Sequence, residues 1–249
     1  MHRWITRGLA SAVLVLATQT TASAQTLFFN GQWNGDGQTS ASNTINGSGS
    51  NQIIFENFVV GGAGWNVTGV FGEFNTKGSV SSWLTANWEI RSGMSTGNAG
   101  KLEWSGLGPT TNSLTGTNYG DYKGIRSTVS GLNVMLAAGT YWVGLAPVGL
   151  DASQVDIYLN STGGVNGVNA LIDGDFFVKS TSSDLYNYVE PAQGLYSWAS
   201  RDYALGVLGT QITSSPPPST TVPEPSTYAL MAAGLATLGL VARRRRIRA

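Results

Sequence analysis

Between Gln25 and Leu208 apolar residues alternate in short runs with small or polar ones, and no long segment repeats its apolar positions at helical spacing. Period-two alternation is what a strand with one buried face requires. It predicts strands at QIIFENF (52–58), WNVTGVFGEF (65–74), WLTANWEIR (83–91), KLEW (101–104) and YKGIRSTV (122–129). Further strands are predicted at LNVML (132–136), TYWVGLAP (140–147), QVDIYL (154–159), DFFVK (175–179) and YALGVL (203–208). Gly, Asn, Ser and Thr punctuate these runs, and residues 160–174 and 180–200 read as long loops. Many short strands without intervening helices predict an all-β fold, a jelly-roll-like antiparallel β-sandwich over residues 25–209. Trp65, Trp83, Trp88, Trp104, Trp142 and Phe71 fall inside the predicted strands and are expected to fill the core, because aromatic burial dominates small cores.

The pattern changes at both termini. Met1 to Ala24 has a basic start (His2, Arg3, Arg7), an apolar stretch from Leu9 to Ala17, and Ala22-Ser23-Ala24 before a cut expected between Ala24 and Gln25. This is the layout of a signal peptide, and it predicts export. Beyond residue 209, TSSPPPSTTVPEP (213–225) favours an extended spacer, giving a linker over 210–222. Tyr228 to Ala242 is apolar or small throughout and is followed by Arg243, Arg244, Arg245 and Arg246. Fifteen helical residues rise about 22 Å, short of a hydrocarbon core of about 30 Å, so the expected transmembrane helix takes in residues 226–242. The arginines of the basic tail (243–249) then act as a cytoplasmic stop-transfer block.

Charge and composition narrow the chemistry. Basic and acidic residues number 14 each, but only seven bases against thirteen acids lie between residues 25 and 222, a net charge of about −6. An acidic exported region argues against nucleic acid as a partner, which needs a basic footprint. There is no Cys, and the single His is His2. After signal removal neither a Ser-His-Asp nor a Cys-His mechanism can be built, nor a His-liganded zinc site, so the chain is expected not to be an enzyme.

Carboxylates are the remaining candidates. Asp173 and Asp175 in LIDGDFFV would share a face of a strand, where they would suit Ca²⁺ or an acid–nucleophile pair for glycoside cleavage. The alternative is a solvated Asp-Gly-Asp turn leading into a strand, and turn chemistry favours it. NGDG (34–37) is also read as a turn, since Ile45 rather than Glu occupies the twelfth position of a calcium loop counted from Asn34. No spacing singles out Glu73, Glu89 or Glu103. Apart from a Ca²⁺ ion at Asp173 and Asp175, no cofactor is expected.

The tail VPEPSTYALMAAGLATLGLVARRRRIRA combines Pro223-Glu224-Pro225, an apolar run and a basic block. In this it resembles the PEP-CTERM sorting signal of Gram-negative bacteria (residues 223–249 here). The resemblance implies that an exosortase, a membrane-embedded processing enzyme, reads Pro223, Glu224 and Pro225. It further implies passage through an inner-membrane intermediate to the cell surface or an extracellular exopolysaccharide matrix. FNG (29–31), WNVTGVFGEF, WEIRSGMSTGNAGKL (88–102), VSGLNVMLAAGTYWVGLAP (129–147) and DGDFFV (173–178) are similar to one group of PEP-CTERM ectodomains, which carries no assigned activity. The function expected is that of a non-enzymatic surface or matrix protein, with an exopolysaccharide-binding module as the alternative.

Overall fold

A computed structural model of the chain describes residues 24–33, 52–149, 157–180, 187–189 and 201–213. The signal peptide with its Ala24–Gln25 cut (apart from those two residues), the NGDG turn, and the linker and tail beyond Thr213 lie outside the described residues. Two units divide the chain, Met1–Ile212 and Thr213–Ala249, and the description that follows concerns the first. Among the described residues all regular structure is β, and no helix is long and apolar enough to cross a membrane.

The principal strands are β1 (Gln25–Phe29), β2 (Gln52–Val60), β3 (Trp65–Thr76), β4 (Trp83–Ser92), β5 (Lys101–Tyr119), β6 (Tyr122–Leu136) and β7 (Gly139–Gly149). Shorter ones follow: β8 (Ile157–Leu159), β9 (Ser161–Thr162), β10 (Phe176–Ser180), β11 (Asn187–Val189), β12 (Asp202–Tyr203) and β13 (Leu205–Gln211). All pairings are antiparallel, and one continuous sheet runs β1-β13-β3-β6-β5-β4-β7-β2-β10-β11, with β8 also on β3 and a separate β9–β12 pair.

The sheet curls on itself because β5 changes partners. Its first half pairs with β4 as far as Pro109, and from Thr110 onward it pairs with β6. A proline cannot donate to a ladder, so the handover falls where a donor is dispensable. Beside it Gly108 brings the two halves together: a Cβ there would stand 2.5 Å from Val129 Cγ1. The β1-β13-β3-β6 half therefore folds over the β4-β7-β2-β10 half.

Cross-layer contacts show the sandwich directly. Phe28 of β1 stacks on Phe58 of β2 at 5.5 Å, Phe58 on Trp65 of β3 at 5.8 Å, and Phe74 of β3 meets Trp83 of β4 at 6.2 Å. Trp83 Nε1 donates to Ser127 Oγ of β6 at 3.0 Å, satisfying a polar group that would otherwise be stranded in the core. The main apolar cluster draws on both layers, and smaller clusters cover the outer faces around Phe55 and Phe71.

Trp65, Trp83, Trp88 and Phe71 are buried as alternation predicts. Trp104 corrects that expectation: it lies opposite Ile90 in the β4–β5 register but is 45% exposed. It sits in the half of β5 from which β6 has parted, so no neighbouring strand covers it. Trp142 is only partly buried, packed on the Phe55 cluster of the outer face.

Candidate functional site

The acids suggested by the sequence fall into separate settings. Asp173 and Asp175 lie not in a strand but in the exposed bend ahead of β10, with Gly174 at φ +75° between them. Both Asp173 oxygens accept hydrogen bonds, Oδ1 from Asp175 N at 3.1 Å and Oδ2 from Asn57 Nδ2 at 3.0 Å. Asp202 Oδ1 closes the same bend by accepting from Gly174 N at 3.0 Å and Asp173 N at 3.3 Å. Among the described residues no group of three or more His, Cys, Asp or Glu side chains is arranged to hold a metal ion.

Beneath this bend sits an acid that pattern reading passed over. Glu56 shares its strand face with Ile54 and Phe58, and like them it is fully buried. Its Oε2 accepts from Asn30 Nδ2 at 2.9 Å and its Oε1 from Tyr203 N at 2.6 Å. Leu171 N donates to Asn30 Oδ1 at 2.9 Å, which fixes the amide so that its nitrogen faces Glu56. Glu56 thus ties β2 in one layer to the end of β1 in the other and to β12. Burial, and then the neighbouring charge of Asp202, push the Glu56 carboxyl well above the usual carboxylate range, against the pull of the Tyr203 amide. Burial also raises Asp202. The signal for Glu56 was in the sequence, as an acid in phase with two large apolar residues.

Glu73, Glu89 and Glu103 are all ion-paired. Glu73, with its side chain 1% exposed, meets Arg126 of β6 at 2.7 Å, and burial raises its carboxyl although Arg126 opposes the shift. Arg126 in turn lies 4.7 Å from the Phe71 ring and 5.0 Å from the Phe29 ring. Glu89 bridges Arg91 at 2.6 Å and Lys179 at 2.7 Å. Glu103 meets Lys101 at 2.6 Å and Ser92 Oγ at 2.6 Å, and the Lys101 hydrogen bond lowers its carboxyl. These acids serve as struts between strands, and Glu56 is out of reach of any substrate in this packing.

A second gathering is aromatic. Trp33 meets Tyr119 edge to face at 5.7 Å, Tyr122 meets Tyr158 at 5.8 Å, and Lys77 Nζ stands 5.0 Å from the Tyr122 ring. These residues come from the segment after β1, the β5–β6 hairpin, β8 and the end of β3. Sequence reading named none of them.

Pro223, Glu224 and Pro225, expected from the sequence to be read by the processing enzyme, and the arginines Arg243–Arg246 belong to the second unit. No curated protein matches the chain. A family model described as the PEP-CTERM protein-sorting motif matches residues 221–246, a span that contains the Pro-Glu-Pro, the apolar run and all four arginines. That motif implies processing by an exosortase-type enzyme and export through the membrane to the cell surface. Its match places an all-β ectodomain ahead of a sorting tail, and the chain is a PEP-CTERM protein.

Proposed function

We propose that the chain is a non-enzymatic structural or interaction protein of the cell surface or extracellular matrix, delivered there by removal of its tail next to Pro223-Glu224-Pro225. The observation that carries the reading is the sorting motif over residues 221–246. Two features support the non-enzymatic part. The mature chain carries no His or Cys. The described carboxylates are engaged in ion pairs, turns or a buried strut rather than aimed together into a cleft. The block Arg243–Arg246 supports an orientation with the C-terminal side of the apolar segment in the cytoplasm and the Pro-Glu-Pro on the opposite side, within reach of a processing enzyme there.

Intact-mass measurement of the protein released from cells with and without a functional exosortase tests the assignment. The expected result is a chain lacking everything beyond the Pro-Glu-Pro region in the first case, and a longer membrane-held chain in the second. A surface form that still carries Arg248 in exosortase-competent cells refutes it. Glu224→Ala is expected to trap the longer form without altering the fold of the ectodomain.

A further inference from the structure

The sheet begins at Gln25. In the ladder with β13, Gln25 faces Gly209 and Thr26 faces Leu208, whereas Ala24 is exposed and belongs to no strand. Burial along β1 sets in at Leu27. Among the described residues its outer edge is held from that point on: Asn169 Nδ2 donates to Leu27 O at 2.9 Å, and Phe29 exchanges two backbone bonds of 2.8 Å with Val168. A chain that starts at Gln25 therefore keeps the whole of β1, and one that starts later loses part of its ladder.

The cut expected from the signal-peptide layout of residues 1–24 falls at this same bond, after the small residues Ala22-Ser23-Ala24. Cleavage there gives Gln25 a free α-amine. Glutamine carries a side-chain amide at the distance from its own amine that closes an unstrained lactam ring. The surroundings leave that closure open. Gln25 is exposed, no described residue hydrogen-bonds its side chain, and its ladder partner Gly209 places no side chain beside it.

We propose that Gln25 is a modification site, at which the mature chain closes its own N-terminus to a pyroglutamyl lactam. The α-nitrogen attacks the side-chain Cδ, the N–Cδ bond forms and the Cδ–Nε2 bond breaks. One amine proton leaves with the amide nitrogen as ammonia, so no co-reactant is needed. Only the unprotonated amine attacks, and with a terminal pKa of about 7.7–8.0 roughly a tenth of it is in that form at pH 7. The lactam retains one N–H and one C=O on residue 25, which keeps its place opposite Gly209, while the terminal positive charge is lost. On an exported protein this removes the free amine that an aminopeptidase requires.

The inference rests on export through a cleaved signal peptide, and its test separates the two. The full chain with its leader is produced in exosortase-competent Gram-negative cells, and the surface form is digested with chymotrypsin for mass spectrometry. An isotope-labelled linear peptide of the same N-terminal sequence, added before digestion, reports closure during handling. The expected N-terminal peptide starts at residue 25 and is lighter than its linear form by one ammonia. The intact protein should resist stepwise N-terminal sequencing until pyroglutamyl aminopeptidase exposes Thr26. Gln25→Ser, at an exposed position, should be cut at the same bond and keep a free amine, with far-UV circular dichroism unchanged.

A linear peptide starting at Gln25 overturns the lactam and leaves the cut in place. So does closure no greater in the protein than in the added peptide. An N-terminus at any residue other than 25 overturns the cut and the lactam together.

Discussion

Glu56 makes the stability of the ectodomain depend on pH in a direction opposite to that of a surface salt bridge. Its carboxyl is fully buried, and burial together with Asp202 raises its pKa, so the folded chain holds the Glu56 proton to higher pH than the unfolded chain does. A raised folded pKa contributes stability that is fully present below the unfolded carboxylate value, about 4.3, and is lost as pH climbs through the folded one. Inside that window the folded state binds one more proton than the unfolded state. Stability therefore falls by about 1.4 kcal/mol for each pH unit crossed. Against a total of about 5–15 kcal/mol, each pH unit of such a window is a sizeable loss.

Asp202 is raised in the same direction and titrates together with Glu56, while Asp173 and Asp175 face Glu56 from the bend above and raise it further. Glu56→Gln removes the titration at a different cost. Asn30 Nδ2 points at Oε2 and is fixed there by Leu171 N, and Tyr203 N needs the other oxygen. One of these donors must then face the new amide nitrogen, which costs about 1–3 kcal/mol at every pH. The assay is urea unfolding followed by tryptophan fluorescence from pH 4.5 to 8, for which buried Trp65, Trp83 and Trp88 are reporters. Wild type should exceed Glu56→Gln most at low pH, with the gap closing or reversing as pH rises. A gap that stays constant across the range would show that Glu56 is not held protonated, and the reasoning fails.

Ser127→Ala strands the Trp83 indole N–H in the core and should destabilise the chain by about 1–3 kcal/mol, read as a lower urea midpoint, whereas an unchanged midpoint would mean that the indole finds another acceptor. Gly108→Ala forces a methyl against Val129 at the handover on β5, for an expected loss of about 1–3 kcal/mol. Adding Val129→Ala should recover part of that loss, and purely additive losses in a double-mutant cycle would contradict the crowding. Calcium or a chelator should leave the melting temperature unchanged, because both oxygens of Asp173 already accept hydrogen bonds; a midpoint that rises with calcium would assign the Asp173–Asp175 bend to a cation instead.

Alternation in the sequence announces strands even where neighbouring elements later bury both of their faces, as in β3 and β7. WNVTGVFGEF and TYWVGLAP became β3 and β7 with boundaries shifted by only one or two residues. KLEW was only the opening of β5, which continues through SGLGPTTNSLTGTNY to Tyr119. That stretch has exposed residues on both faces and a proline in its middle, so it offers no period to read, and only tertiary pairing with β4 and then β6 makes it a strand. Gln25–Phe29 escaped notice as β1 because its five residues are too few to show a period. Partnerships were less legible than strands. Glu73 and Arg126 stand 53 positions apart, and Trp33, just after β1, reaches Tyr119 at the end of β5 although β13, β3 and β6 lie between those strands in the sheet. The sorting tail, by contrast, is legible from its linear pattern over residues 221–246.

β13 ends at Gln211, shortly before the chain passes into its second unit, and it is an interior strand with β1 on one flank and β3 on the other. Both ladders run antiparallel, the one with β3 along its whole length and the one with β1 over Gly206 to Gly209. A pull applied through the chain beyond Gln211, along the strand axis, loads those hydrogen bonds together in shear and does not peel them one at a time. The strand nearest Gln211 is therefore placed to resist a pull on the chain from that end, as a rivet resists sliding plates.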